Sequence, residues 1–238
     1  MDSSSVRVVA CDIFGTTVDW YTGVTTQVAE VFEALGVSVD AGEFAIQWRE
    51  LYGPSMQRVR DGERDWANLD VLHRESLDGL LRRHDIADAV DEASRVRLVR
   101  AWHRLPAWAD TVEGLARLRT RFVTATLSNG GFALLTNLVK AAGLPFDCVV
   151  SAELFHAYKP DPRVYRGAAD LLDVAPDQIV LVAAHTRDIE GAAAAGLRTA
   201  FLERPAEKGP HGEADRASDG SSDWTASSFL ELADRLGC

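Results

Sequence analysis
The sequence predicts an α/β protein, a doubly wound parallel sheet with a helical insert after its first strand. Three patterns carry this. Short apolar runs rich in β-branched residues recur at 6–11 (VRVVAC), 122–127 (FVTATL), 148–151 (CVVS), 179–184 (IVLVAA) and 198–202 (RTAFL). Near-continuous runs of this kind suit strands covered on both faces. Segments of helical spacing separate them from residue 107 on, and such alternation builds parallel sheets. The third pattern is an interval, 40–105, that reads as helix with no convincing strand.

Taken in order, the run at 6–11 ends on Asp12 and breaks at Gly15, with hydroxyls at Thr16 and Thr17 and a further acid at Asp19. Ligands of open α/β sheets sit beyond the carboxyl ends of strands, which places Asp12 where chemistry tends to occur. An Asp-x-x-Gly alone reads equally as an Asx-type turn. Residues 24–35 carry Val24, Val28, Val31, Phe32 and Leu35 at helical spacing, and Gly36 is a natural stop. In the insert, Phe44, Trp48, Leu51, Leu69, Leu72, Leu77, Leu80 and Leu81 are separated by charged faces. Beyond Pro106 come a helix over 111–119, the strand 122–127 ending in Ser128-Asn129-Gly130-Gly131, and a helix over 132–142. The strand 148–151 precedes the loop HAYKPDPRVY and a helix through Leu172. The strand 179–184 leads into HTRDIEGAAAAG, whose small residues Ala192 to Ala195 permit close packing on a sheet. After the strand 198–202, residues 204–223 are polar and rich in Gly, Pro and Ser, predicting a mobile surface loop. A helix over 229–236 closes the chain, and there is no internal repeat. The expected division is a core of 1–19 and 107–238 and a helical domain of 20–106.

Composition narrows the function. A chain of 238 residues, 47% apolar and with six Trp, holds ample material for a packed core. A formal net charge of −11 argues against nucleic acid and against an anionic membrane surface, both of which need clustered Lys and Arg. A small anionic substrate would require local positive charge inside a cleft. Cys11, Cys148 and Cys238 are too scattered for a disulfide framework or a zinc motif. Residues 1–5 are polar and no apolar run reaches membrane-spanning length, so the expectation is a soluble cytoplasmic protein.

Further chemistry-bearing residues fall at strand ends or loop starts. Ser128 and Asn129, beside glycines that free backbone N–H groups, form a good anion cradle, although Ser-Asn-Gly is as readily a plain turn. Lys159 precedes Pro160, which holds it in extended backbone; a lone Lys-Pro is also a common surface pattern. Asp188 lies past the strand 179–184 and reads alternatively as a helix cap. Order and spacing together are stronger than any one of them, because one crevice in a doubly wound sheet would gather them all.

With DIFGTTVD preceded by a hydrophobic strand, the chain resembles the haloacid dehalogenase (HAD) superfamily, and the resemblance implies a Rossmann-like core with a helical cap. HAD phosphatases usually carry a second Asp two residues after the first; here that residue is Phe14, as in the type II 2-haloacid dehalogenases. The resemblance to these runs essentially the whole chain. It implies that Asp12 is the nucleophile, that Thr16 orients it, and that Arg49, in QWRELY, lies over the substrate and receives the departing halide. Without the family, Arg49 would be a solvent-facing arginine on an amphipathic helix. Ser128 and Asn129 correspond to residues contacting the substrate carboxylate and halogen, with the backbone amides of Ile13 and Phe14 beside them. Lys159 corresponds to the lysine that neutralises the acids, and Tyr165 to a tyrosine important in the family, a core aromatic being the equal alternative. The chain departs from one family form at 183–188: His185 stands where some members have Asn, and Ala183 where they have a Ser that helps hold the hydrolytic water. His185 either supplies that hydrogen bond or merely caps the strand end.

The implied reaction is metal-free and cofactor-free hydrolysis of a 2-haloalkanoic acid, such as haloacetate or 2-halopropionate, to a 2-hydroxy acid with release of halide. It is the (S)-2-haloacid dehalogenase type of carbon–halide hydrolase. Asp12 would form an ester with the substrate, and Asp188 would help water to cleave it. Fluoroacetate remains an open sub-case, and related enzymes are often dimers, which leaves a homodimer open. The rival readings are a magnesium-dependent phosphatase, which Phe14 disfavours, and a binding domain without turnover, which would not need a nucleophile.

Overall fold
In the computed structural model, residues 3–210, 212–217 and 220–238 are described; Met1, Asp2, His211, Ser218 and Asp219, which belong to the polar N-terminal stretch and to the 204–223 loop, lie outside them. The sheet has five parallel strands: β1 (Val8–Cys11), β2 (Val123–Thr126), β3 (Ile179–Ala183), β4 (Arg198–Leu202) and β5 (Trp224–Ala226). Their order is β2-β1-β3-β4-β5, with Val8 paired to Val123 on one side and to Ile179 on the other. The winding direction reverses at β1, which opens a crevice beyond the carboxyl ends of β1 and β3.

Strand alternation explains why both faces are covered. Val9, Cys11, Val180 and Val182 point into one apolar cluster, while Val8, Ala10, Leu181 and Ala183 point into another. The first cluster is closed by α6 (Thr111–Arg119), α7 (Phe132–Ala141) and α10 (Phe229–Leu236). The second is closed by α8 (Pro162–Leu171) and α9 (Thr186–Ala194). Fully burying a Leu or Phe contributes about 1.5–3 kcal/mol, and Phe229, Leu232 and Leu236 of α10 are all buried. Gly114 lets α6 approach α10: a Cβ there would lie 2.3 Å from Phe229 Cβ.

Between β1 and α6 lie only helices: α1 (Trp20–Leu35), α2 (Ala41–Glu50), α3 (Tyr52–Arg60), α4 (Leu69–Arg83), α5 (Glu92–Val99) and a 3-10 turn at Arg100–His103. α1 begins a turn earlier than the apolar spacing implies, because Asp19 caps it by accepting from Thr22 N–H. Gly36 terminates it at φ 67°. The two chain crossings into the insert are adjacent, with Asp19 N–H donating to Pro106 O at 2.9 Å. Aromatic rings join the insert to the sheet: Trp102 lies 5.9 Å from Phe14 and 5.6 Å from Trp48. None of the described helices is long and apolar enough to cross a membrane.

Three expectations need correction. Residues 148–151 form no continuous strand, only isolated bridges from Cys148 to Ala125 and from Ser151 to Ser128. The Thr126 hydroxyl intercepts the ladder, donating to Val150 O and accepting from Val150 N–H. β5 was not foreseen; it is three residues long and follows a Gly/Ser run. Residues 204–207 are not a mobile surface loop. Arg204 is buried, bonded to Thr16 O and to both carboxylate oxygens of Asp110, and Glu207 is buried too.

Candidate active site
The site begins where β1 ends. Asp12 N–H continues the ladder to Val182 O, and the chain then turns tightly, with Thr17 N–H and Val18 N–H both donating to Ile13 O. The turn needs Gly15, which adopts φ +86°. It presents the Asp12 carboxylate at the crevice, 6% exposed. Thr16 lies beneath: its hydroxyl accepts from Ala184 N–H and must therefore give its proton to Asp12 Oδ2, 2.9 Å away. Among the described residues, the backbone N–H groups of Ile13 and Phe14 donate to no protein acceptor.

Lys159 arrives from the loop before α8, held by Asn129 Oδ1 on its N–H at 2.7 Å. Its ammonium spends its three protons on Asp12 Oδ1 (3.0 Å), Leu127 O (2.8 Å) and Asp188 Oδ2. Asp188 lies in the first turn of α9 and does not cap it: His185 holds the N-cap position without a side-chain capping bond, and Asp215 accepts from Thr186 N–H. The other oxygen of Asp188 accepts from Tyr165 OH at 2.6 Å. Burial works to raise the Asp12 carboxyl, but the Lys159 charge and the His185 hydrogen bond hold it well below the usual carboxylate range. Burial raises Asp188, and the Asp12 charge adds to this against Lys159. The two acids are thereby driven apart, one kept ionised and the other made more basic.

His185 bridges two carboxylates, with Nδ1 3.3 Å from Asp12 Oδ2 and Nε2 2.9 Å from Glu207 Oε1. Burial alone would lower its pKa; the interactions in which its ring N–H groups face the Asp12 and Glu207 carboxylates overcome this and push it up to about 10.

These groups face a cavity of about 250 Å3. Asp12, Phe14, Arg49 and Asn129 line it, as do Lys159, Tyr165, His185 and Asp188. Arg49, from α2, lies over the Tyr52 ring, its guanidinium carbon 4.1 Å from the ring centroid, and its side chain makes no hydrogen bond or ion pair among the described residues. The side chains of Ile13 and Ser128 stay out of the wall: both are fully buried, and Ser128 Oγ accepts from Gly130 N–H. Asp19, the extra acid of the first stretch, caps α1 and takes no part.

A family model for haloacid dehalogenase-like hydrolases matches residues 6–196. The chain belongs to this family. Within it, the chain is 33% identical over 191 residues to (S)-2-haloacid dehalogenase 1 of Pseudomonas sp. (strain CBS-3), covering 73% of this chain and 83% of that one. It is 30% identical to (S)-2-haloacid dehalogenase 4A of Burkholderia cepacia over 84% of each chain. The solved structure of a defluorinating L-2-haloacid dehalogenase superposes with a TM-score of 0.96 at 42% identity, covering 100% of this chain and 99% of that one. That of another L-2-haloacid dehalogenase gives 0.93, also at 42%, over 97% and 98%. The relatives place this HAD hydrolase in the type II branch.

Sequence reasoning missed several residues of this HAD site. Tyr52, Met56, Arg60 and Arg187 also line the cavity. Arg60 and Arg187 bring the local positive charge that an anionic substrate needs in a chain of net charge −11. Glu207 was hidden in a segment read as loop from composition. The signal was present, since Glu207 follows closely on the end of β4, and the strand-end rule used for Asp12 and Asp188 would have flagged it.

Proposed function
We propose that this protein hydrolyses small 2-haloalkanoic acids, haloacetate and 2-halopropionate among them, through an ester on Asp12. The observation that carries the reading is the Asp12 carboxylate, kept ionised by Lys159 and facing a small cation-rich cavity with Phe14 where a second acid would serve phosphoryl transfer. Asp12 attacks the carbon bearing the halogen from behind, so configuration inverts as the halide leaves. Arg49 and Asn129 receive the departing anion, and Arg49 forms no ion pair with a carboxylate among the described residues. The substrate carboxylate is held by the N–H groups of Ile13 and Phe14, with Ser128 shaping the adjoining turn. Lys159 permits two acids to stand together, and Tyr165 fixes the rotamer of Asp188. Asp188, made more basic by burial, takes the proton of the water that attacks the ester. His185 acts beside it on Asp12 Oδ2, and Thr16 orients the same oxygen.

Residues 20–106 act as a cap on a core of 1–19 and 107–238, excluding water from the alkylation step. The adjacent crossings at Asp19 and Pro106 support this division. Fluoroacetate belongs in the substrate test because a relative of 42% identity is described as defluorinating.

The test is halide release from chloroacetate, 2-chloropropionate and fluoroacetate with EDTA present, for the wild type and Asp12→Asn. Release by the wild type and its loss in the variant support the proposal. No release from any of the three, with magnesium-dependent phosphate release from a phosphomonoester, overturns it.

A further inference from the structure
The imidazole of His185 lies between carboxylates from opposite ends of the chain, Asp12 on Nδ1 and Glu207 on Nε2. Carboxylates only accept, so each contact is favourable only with a proton on the facing nitrogen, and the imidazolium is the form that suits both. Glu207 is 1% exposed; Oε1 also receives Trp20 Nε1–H at 3.3 Å, and Oε2 has no hydrogen-bond partner among the described residues. A carboxylate sealed in this way is costly unless a cation faces it, and His185 is the cation in contact. The two oxygens of Asp12 are held differently. Oδ1 takes one bond, from Lys159, whereas Oδ2 takes the Thr16 hydroxyl bond and also faces His185 Nδ1 at 3.3 Å. The oxygen so faced from two sides is the weaker nucleophile and the better seat for developing charge. Oδ1 therefore attacks, and Oδ2 becomes the ester carbonyl.

We propose that Glu207 is a positioning residue that keeps His185 charged and aimed at Oδ2 once Asp12 has become a neutral ester, so that Nδ1–H and the Thr16 hydroxyl form the oxyanion hole for ester hydrolysis. This rests on the nucleophilic role given to Asp12 above. In the step, the water oxygen bonds to Asp12 Cγ, its proton passes to Asp188, and the carbonyl π pair moves onto Oδ2. On collapse the pair returns and the Cγ–Oδ1 bond breaks. The departing alkoxide takes the proton from Asp188, leaving as a 2-hydroxy acid whose hydroxyl oxygen was Oδ1. The new Asp12 carboxyl loses its proton to solvent.

Without Glu207, alkylation of Asp12 would leave His185 with burial alone, and the ring would shed its proton. The other charges near it do not change between the resting and ester states. Lys159 and Asp188 lie behind Asp12, with Arg60, Arg187 and Asp215 around the same cavity. Across an adjoining cavity of about 620 Å3 stand Glu43, Arg49 and Glu50 of α2 and Lys208.

The test is single-turnover kinetics of Glu207→Gln with a substrate the wild type dehalogenates, reading halide, ester by intact mass, and pH. The expected result is a halide burst within about threefold of wild type, an accumulating ester, and kcat down at least ~10-fold with KM falling alongside. The alkaline limb of ester hydrolysis should move down by about one pH unit or more, and Glu207→Asp should recover part of the loss. Equal slowing of burst and hydrolysis, or an unmoved alkaline limb at the wild-type rate, overturns the inference alone. A wild type that releases halide without ever forming an ester overturns the nucleophile reading and this inference with it. If the amide variant does not fold, imidazole 15N shifts of the wild type decide: a doubly protonated His185 ring at pH 8 supports the inference, and a neutral ring overturns it.

Discussion

Replacing Lys159 by Met removes the one cation among the described residues that touches both acids of the site while keeping the length of the side chain. The ammonium is 5% exposed at the side chain and its three protons are all engaged. Removing one member of a buried pair leaves uncompensated charge, and the cost is about 3–5 kcal/mol. The pH dependence follows from the direction of each shift. In the wild type Asp12 lies below its unfolded value, so its contribution is present above that value and lost only as pH falls through the lower folded one. In Lys159→Met, Asp188, already raised by burial and by the Asp12 charge, loses the opposing Lys159 charge and rises further, so its protonation favours the folded state. The deficit should be largest near pH 7.5 and shrink on acidification by up to about 1.4 kcal/mol per pH unit for each proton taken up. Urea unfolding at pH 7.5 and 5.5 measures this, and halide release at pH 7.5 should fall at least ~100-fold because the bond that holds Asp12 Oδ1 in its attacking position is lost. The double variant Lys159→Met, Asp188→Asn should regain stability and not activity. A deficit below about 1 kcal/mol at pH 7.5, or one that widens on acidification, refutes the reasoning.

Gly15→Ala should cost about 1–3 kcal/mol in urea unfolding, because φ is +86° and the new Cβ would lie 2.2 Å from Glu207 Oε1; a neutral result would mean that the turn is not constrained as described. His73, stacked 4.3 Å from Trp102 with neither ring nitrogen hydrogen-bonded among the described residues, is pushed down by burial to about 3. Its folded value lies below the unfolded one, so its contribution is present above pH 6.5 and lost as pH falls. Stability of the wild type relative to His73→Phe should drop by on the order of 2 kcal/mol between pH 6.5 and 5, and urea midpoints that run parallel would contradict this. Arg49→Lys keeps the charge but loses the planar guanidinium over Tyr52, and should slow halide release roughly 10- to 100-fold while changing stability by less than about 1 kcal/mol.

The central strands were legible because a strand buried on both faces must be apolar at every position, as β1 and β3 are. Edges were not. β5 is three residues beyond a Gly/Ser run and is fixed by pairing with β4, which periodicity does not record. Residues 148–151 look like a strand, yet a hydroxyl from Thr126 takes the place of the ladder bond. In the site, position at a strand end singled out Asp12, Lys159 and Asp188, while Arg49 rested on resemblance. Tyr52 was invisible because its part lies in stacking across the break at Leu51 between α2 and α3. Arg204 and Glu207 were masked by their polar neighbours: composition averages over a segment, whereas burial acts on single side chains.

The central claim is that an oxygen of Asp12, and not of water directly, displaces the halide. A single turnover in 18O-labelled water, with enzyme in excess, followed by mass analysis of the peptide containing Asp12 and of the 2-hydroxy acid, tests it most directly. The account predicts label in the Asp12 carboxylate and none in the product hydroxyl. Label in the hydroxyl with Asp12 unlabelled would contradict it and would make Asp12 a general base for direct attack by water.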